Sequence, residues 1–343
     1  MRLCRFVIGD SELVGFYEDD LIFPVDQAAE VHSNMSGEEL ELPPVSDPLD
    51  LLPPNGPYQQ TAAKLWNWLK KLDPEKRLDL SVDTQDVDLL IPILQPPKIL
   101  LLAGNYAEHV AEQGGTAAER AETFPYVFMK PSSTLNTHRG TVLLPLVSPD
   151  HIDWECELGV VIGDFCKGVT EDEALDYVAG YTVVNDITDR KYRPNPDRKP
   201  RERDKHFDWL HGKWHDTFLP VGPCVLSSAG VAPQNLRIKL RVNGETKQDG
   251  TTADMVFPVA AVISFISQWI TLEPGDLIAT GTPKGVGNAK GTYLKNGDEI
   301  EAEIPGIGIL ANSVMHEEEY LKAMDSDEAD EMDDSEDADD SED

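Results

Sequence analysis

Three acidic residues give the strongest chemical signal in the chain. Glu155 and Glu157 stand two apart in Asp153-Trp154-Glu155-Cys156-Glu157-Leu158-Gly159-Val160-Val161-Ile162, whose apolar end predicts a buried strand. Side chains two apart on a strand share one face. Two carboxylates on one face beside apolar neighbours repel each other unless a cation or protons intervene, so the pair calls for a hard divalent metal. An isolated E-x-E is more often a solvated strand face, but a third acid shifts the balance. Asp186 follows the apolar run Tyr181-Thr182-Val183-Val184 and is expected at a strand end. Three carboxylates plus water or substrate oxygens would complete the near-octahedral shell that Mg²⁺ or Mn²⁺ prefers, with Ca²⁺ a further candidate. No His or Cys stands at a spacing that favours zinc.

A second group could move protons. His109 and Glu112 are three apart on a predicted helix, hence on one face. A carboxylate beside an imidazole fixes its tautomer and raises its basicity, as a general base for water requires, although many such pairs are only surface contacts. Lys213, in Gly212-Lys213-Trp214-His215-Asp216, is a cation among bulky groups that could stabilise an oxyanion or enolate. Residues 280–287, Thr-Gly-Thr-Pro-Lys-Gly-Val-Gly, form a glycine-rich turn whose backbone N–H groups could cradle a carboxylate; its order is not that of a phosphate loop.

The elements that must position these residues are mostly strands. Residues 3–8, 13–17 and 21–25 predict a small meander, and breakers between Pro43 and Pro57 lead into a helix over 59–72 with Ala62, Leu65, Trp66, Leu69 and Leu72 at helical spacing. A boundary is expected near residue 97, dividing a small strand-rich N-terminal unit (1–96) from the catalytic part (97–320). Beyond it, strands are predicted at 99–103, 126–129, 141–144, 155–162, 181–184, 237–242 and 277–280, and helices at 171–179 and 259–271. The expected class is α+β with an extensive mixed or antiparallel sheet. Residues 190–208 are basic and polar and read as a mobile insertion, either a lid for an anionic substrate or a solvated loop.

Composition excludes several functions. The 343 residues carry a net charge of −34; thirteen acids and no base lie between Asp325 and Asp343, leaving −21 on the preceding residues. Such a surface repels nucleic acid and anionic membranes. The tail, 321–343, is a like-charge run expected to be disordered. Cys4, Cys156, Cys166 and Cys224 form no C-x-x-C pair and are expected as reduced thiols. Asp10 and Glu12 interrupt the place of a signal peptide, and prolines break the longest apolar stretch, so a soluble cytoplasmic protein is expected.

The order of motifs resembles the fumarylacetoacetate hydrolase family over roughly residues 97–316. Gly104-Asn105-Tyr106 with His109 and Glu112, Lys130-Pro131-Ser132-Ser133, Glu155-x-Glu157-Leu158, Asn185-Asp186, Gly212-Lys213 with Asp216, and residues 280–287 stand in the family's sequence. The resemblance implies a mixed β-sandwich roll with few helices and a homodimer. It implies Mg²⁺ or Mn²⁺ on Glu155, Glu157 and Asp186, and a water-activating dyad of His109 and Glu112. It also implies substrate charge held by Lys213 and Arg190, with Lys130 and Thr282 at substrate-contacting positions. The implied activity is cleavage of a C–C bond in a small anionic 2,4-dioxo acid, with isomerisation or decarboxylation as alternatives; a non-catalytic metal-binding protein is the alternative of another class. Two features depart from fumarylacetoacetate hydrolase itself. Leu102 stands where that enzyme has a further metal-binding aspartate, and the basic insertion before Lys213 is not general.

Overall fold

The computed structural model describes residues 1–116 and 119–325. In chain order its principal elements are β1 (Arg2–Ile8), β2 (Ser11–Glu18), β3 (Leu21–Pro24), α1 (Val25–Ser36), α2 (Gln59–Leu69), β4 (Ile99–Ala103), α3 (Ala107–Glu112), β5 (Tyr126–Met129), β6 (Cys156–Ile162) and β7 (Val178–Asn185). There follow α4 (Asp204–His211), β8 (Leu219–Ser227), β9 (Arg237–Val242), β10 (Glu245–Thr251), α5 (Val259–Trp269), β11 (Leu277–Ala279), β12 (Glu299–Ile304) and β13 (Gly308–His316).

Two mixed sheets make the fold, as the α+β expectation required. The larger runs β3-β2-β1-β8-β7-β6-β11-β4-β5, antiparallel except where β11 lies parallel to β4. The predicted meander therefore does not stand apart: β1 pairs with β8 across the expected boundary and continues the catalytic sheet. The smaller sheet runs β10-β9-β12-β13, with Val142–Leu144 parallel to β13 at its edge. Leu158, Val160, Tyr181 and Val183 of the larger sheet share one core with Ile238, Leu240, Ile300 and Ala302 of the smaller. The opposite face packs Val161, Val184 and Val225 with Phe16 and with Leu65 and Leu69 of α2. Each of those leucines is fully buried, worth about 1.5–3 kcal/mol, and Trp66 stacks on Phe16 at 5.3 Å between centroids.

The differences from expectation have local causes. The helix predicted over 171–179 is α-helical at Glu171–Ala174, capped by Thr170 and Glu173, and continues as a 3-10 turn over Leu175–Tyr177; it stops there because Val178 onward is taken into β7 between β6 and β8. Strand β8 was hidden by Pro220, Gly222 and Pro223, yet it lies inside the larger sheet between β1 and β7. Helix α1 buries only Val25, Ala28 and His32, too weak a stripe to read. Residues 317–325 are helical, whereas most of the acidic tail, 326–343, lies outside the described residues. All four cysteines are buried free thiols. Among the described residues no helix is long and apolar enough to cross a membrane.

Candidate metal and catalytic site

Register brings the three acids together. On β6, Leu158, Val160 and Ile162 face the core between the sheets, while Val161 faces the other way. Glu157 shares the parity of Val161, as does Glu155 just before the strand. Across the antiparallel pair Glu157 opposes Val184, and the Asp186 N–H donates to the Glu155 carbonyl at 2.8 Å. Asp186 therefore emerges on the face of Val184, beside both glutamates. One carboxylate oxygen from each of the three lies within 4.8 Å of the others, and all three side chains are buried.

Four cationic or neutral partners surround the cluster unevenly. Lys213 Nζ bonds Glu155 Oε2 at 2.6 Å and also Asp186 Oδ2. Arg190 spans Glu155 Oε1 at 2.6 Å and Asp153 Oδ2 at 2.8 Å. Lys130 donates to Asp186 Oδ1 at 2.8 Å and to the carbonyls of Phe218 and Ile187 at 2.7 and 3.1 Å. Glu157 accepts the Gly281 N–H at 2.7 Å, and among the described residues no cation is hydrogen-bonded to it. Burial opposes ionisation of Glu155, but Arg190, Lys213 and His109 outweigh it and hold its carboxyl well below the usual range. Burial and the neighbouring charges of Asp186 and Glu155 push the Glu157 carboxyl well up. Three buried carboxylates converging within 4.8 Å, one of them without a cationic hydrogen-bond partner among the described residues, form the oxygen donor set of a hard divalent cation.

Proton-transfer geometry adjoins the cluster. On α3, His109 Nδ1 is 2.9 Å from Glu112 Oε1 and its Nε2 is 3.7 Å from Glu155 Oε1. Burial raises the Glu112 carboxyl, but its bonds to His109 and the Gly285 N–H bring it below its ordinary value. An ionised Glu112 accepts only, so Nδ1–H donates to it and Nε2 is the ring nitrogen left facing the cluster. Asn105 locks the start of this segment in place, donating to the carbonyls of Phe257 and Thr280 at 3.0 and 2.8 Å.

The glycine-rich turn behaves differently from expectation. Its N–H groups hold the protein's own carboxylates: Gly281 bonds Glu157, Gly285 bonds both Glu112 oxygens at 2.9 and 3.1 Å, and Gly287 bonds Asp153 Oδ1 at 2.6 Å. Gly285 has φ +108, and a Cβ there would lie 2.2 Å from the Lys247 carbonyl oxygen, so only glycine fits. Thr282 donates to the Cys156 carbonyl and accepts from Gln248 Nε2, each at 2.8 Å, and reaches the cavity wall.

Two further groups are basic. The Lys130 side chain has no exposed surface and three acceptors, so it holds Asp186 in place; burial lowers its pKa to about 8. Of the basic insertion, Arg190 reaches the cavity wall, buried against Asp153 and Glu155. Arg198 and Arg201 instead pair with acids of the insertion itself, Arg198 with Asp204 and Asp208, and Arg201 with Asp204. What the insertion delivers is α4, whose Trp209 lines the cavity and lies 5.9 Å from Lys213 Nζ. Trp209, Gln248 and Asp153 were missed from the sequence. Asp153 was readable: it shares the parity of Glu155 and Glu157, and it anchors Arg190 and the turn at Gly287 and Asn288.

A cavity of about 350 Å³ opens onto His109, Glu155, Glu157, Arg190, Lys213 and Thr282. Two packed mixed sheets presenting a buried carboxylate cluster beside a His-Glu pair define a class of metal-site protein. The chain belongs to the fumarylacetoacetate hydrolase family: residues 98–315 match the fumarylacetoacetate (FAA) hydrolase C-terminal model. It is 44% identical over 222 residues to a 2,4-didehydro-3-deoxy-L-rhamnonate hydrolase of Sphingomonas sp., covering 64% of this chain and 73% of that protein. It is 38% identical over 233 residues to a mitochondrial oxaloacetate tautomerase of Bos taurus, covering 67% and 70%. The fold matches maleylpyruvate hydrolase from Sphingobium sp. SYK-6, solved with manganese(II) and pyruvate, with a TM-score of 0.65 and 28% identity over 92% of this chain and 99% of that one. These relatives are enzymes of hydrolase and tautomerase type.

Proposed function

We propose that this protein is a divalent-metal-dependent hydrolase that cleaves a C–C bond in a small anionic 2,4-dioxo acid. The observation that carries the reading is the Nε2 atom of His109 facing a buried carboxylate cluster across 3.7 Å. Glu155, Glu157 and Asp186 would hold Mg²⁺ or Mn²⁺, with Ca²⁺ as an alternative. Bound there, the ion would supply Lewis-acid polarisation of the substrate's 2-oxo group.

The chain's own residues account for the proton traffic. Glu112 holds the Nδ1–H, so His109 Nε2 takes a proton from water; the hydroxide adds to the distal carbonyl. The bond between that carbon and the methylene carbon then breaks, and its electron pair passes to the methylene side as an enolate. Lys213 and Arg190 give the cavity positive charge for the enolate and carboxylate. The proton returns to the methylene carbon, so one water is consumed and a carboxylic acid and a 2-oxo acid leave. The same dyad would serve tautomerisation, the second reading, which the resemblance to the oxaloacetate tautomerase favours.

The test is product analysis. Acetylpyruvate with Mg²⁺ should yield acetate and pyruvate, and His109→Ala should stop it. A change of keto-enol absorbance with no pyruvate would replace hydrolysis by tautomerisation; no effect on any 2-oxo acid would leave a metal-binding protein without catalysis. We also propose a cytoplasmic homodimer, checked by fractionation and by mass in solution.

A further inference from the structure

Beside the polar cavity lies a second one of about 570 Å³ with a different character. Phe124, Tyr126, Phe128, Trp209, Phe265 and Trp269 line it. Phe124 meets Tyr126 edge-on at 5.4 Å and stacks on Phe265 at 6.1 Å, and Phe265 meets Trp269 at 6.1 Å. Tyr126, Phe124 and Trp269 are all more than half exposed, although the chain is acidic and only 7% aromatic. Aromatic surface gathered around a concavity is a binding feature more than a packing one.

Its relation to the polar cavity identifies the occupant. Ala103 and Trp209 are common walls of both; Trp209 lies 5.0 Å from Phe128, and Lys213 Nζ, on the polar side, lies 5.3 Å from the Phe128 ring and 5.9 Å from that of Trp209. Among the described residues no lysine or arginine lines the aromatic cavity, and His206 is the one ionisable side chain there besides Tyr126. A second carboxylate lodged there would lose hydration without gaining a cation, whereas an apolar group would be covered on several sides.

Resting on the hydrolase reading, we infer that the aromatic cavity holds the acyl end of the substrate, and that this end is uncharged and apolar, of aryl size. The substrate is then a monocarboxylate, its 2-oxo acid end at the carboxylate cluster and its apolar end across Trp209. Phe265 on α5 and Trp269 at its end determine this preference without touching the polar cavity.

The experiment uses the full chain with Mg²⁺ and three probes: acetylpyruvate, benzoylpyruvate and fumarylpyruvate. Exchange of methyl for phenyl should raise kcat/KM on the order of thirtyfold, while fumarylpyruvate, with its second carboxylate, should not exceed acetylpyruvate. Phe265→Ala and Trp269→Ala should each remove about tenfold of the benzoylpyruvate rate and leave acetylpyruvate within about twofold. Trp269 is half exposed, so its variant stays informative if Phe265→Ala fails to fold. Equal rates for methyl and phenyl, or a preference for fumaryl, overturn the inference. So does a change in solution mass of the variants with selectivity intact, which would make the patch a contact between copies. Calorimetric binding to His109→Ala separates the two proposals. Tighter binding of benzoylpyruvate there, with no pyruvate released by wild type, keeps the pocket and sinks the hydrolase; pyruvate release with equal binding does the reverse.

Discussion

Replacing Lys213 by methionine removes the ammonium that joins Glu155 to Asp186 while keeping a side chain of similar reach. Lys213 is buried, and its two carboxylate bonds place one positive charge where three acids converge. After the change Arg190 still neutralises Glu155 and Lys130 still holds Asp186, but nothing cationic remains between them. Breaking a buried pair in this way costs about 3–5 kcal/mol. A divalent ion bound by the same acids repels Lys213 and replaces its charge, so it should restore the variant more than it stabilises wild type. At a hundred times Kd a ligand contributes about 2.7 kcal/mol, enough to recover over half the loss. The assay is urea unfolding of both proteins with chelator and with excess Mn²⁺. A variant within about 0.5 kcal/mol of wild type in chelator, which is the range of an ordinary surface change, would refute the charge balance argued for the site. So would a variant that gains nothing from Mn²⁺.

His109→Ala should lower kcat by about 10²–10⁴ and leave Mn²⁺ affinity near wild type, checked by steady-state rates and calorimetry. Gly285→Ala forces a Cβ against the Lys247 carbonyl and moves the N–H that holds Glu112; we expect a loss of about 1–3 kcal/mol in stability and reduced kcat with metal affinity kept. His138 has its pKa lowered to about 4 by burial and by Arg139, and its Nδ1 accepts the Ala311 N–H at 3.2 Å. The unfolded chain protonates first as pH falls, so this contribution is complete above about pH 6.5 and is lost progressively towards pH 4, by up to about 3 kcal/mol. His138→Leu should flatten stability across that window, as measured by denaturation at stepped pH.

The convergence of the carboxylates was legible because strand parity is written in spacing: residues two apart share a face, and Asp186 ends a run of the right length. The same rule would have found Asp153. Register is not written there, so the meeting of Glu155 with Asp186 depends on a pairing that only the folded sheet displays. Strand β8 escaped because Pro220 and Pro223 argue against a central strand, although tertiary packing overrides them. The glycine turn showed that N–H groups were available but not where they pointed, and they point to Glu157, Glu112 and Asp153. Lys130 looked like a ligand for substrate because a basic residue near acids reads the same whether it meets an anion or its own chain. Trp209 was masked by the basic composition around it, though α4 has an apolar side that brings it to the cavity.

Titration of Mn²⁺ into chelator-stripped wild type, Glu157→Gln and Asp186→Asn, followed by calorimetry, bears most directly on the carboxylate cluster. Wild type should take up one ion per chain, and each variant should lose roughly a hundredfold or more in affinity, since a charged oxygen donor is replaced by a neutral amide. Uptake that is absent in wild type, or equally tight in both variants, would contradict the assignment of these acids as the metal site.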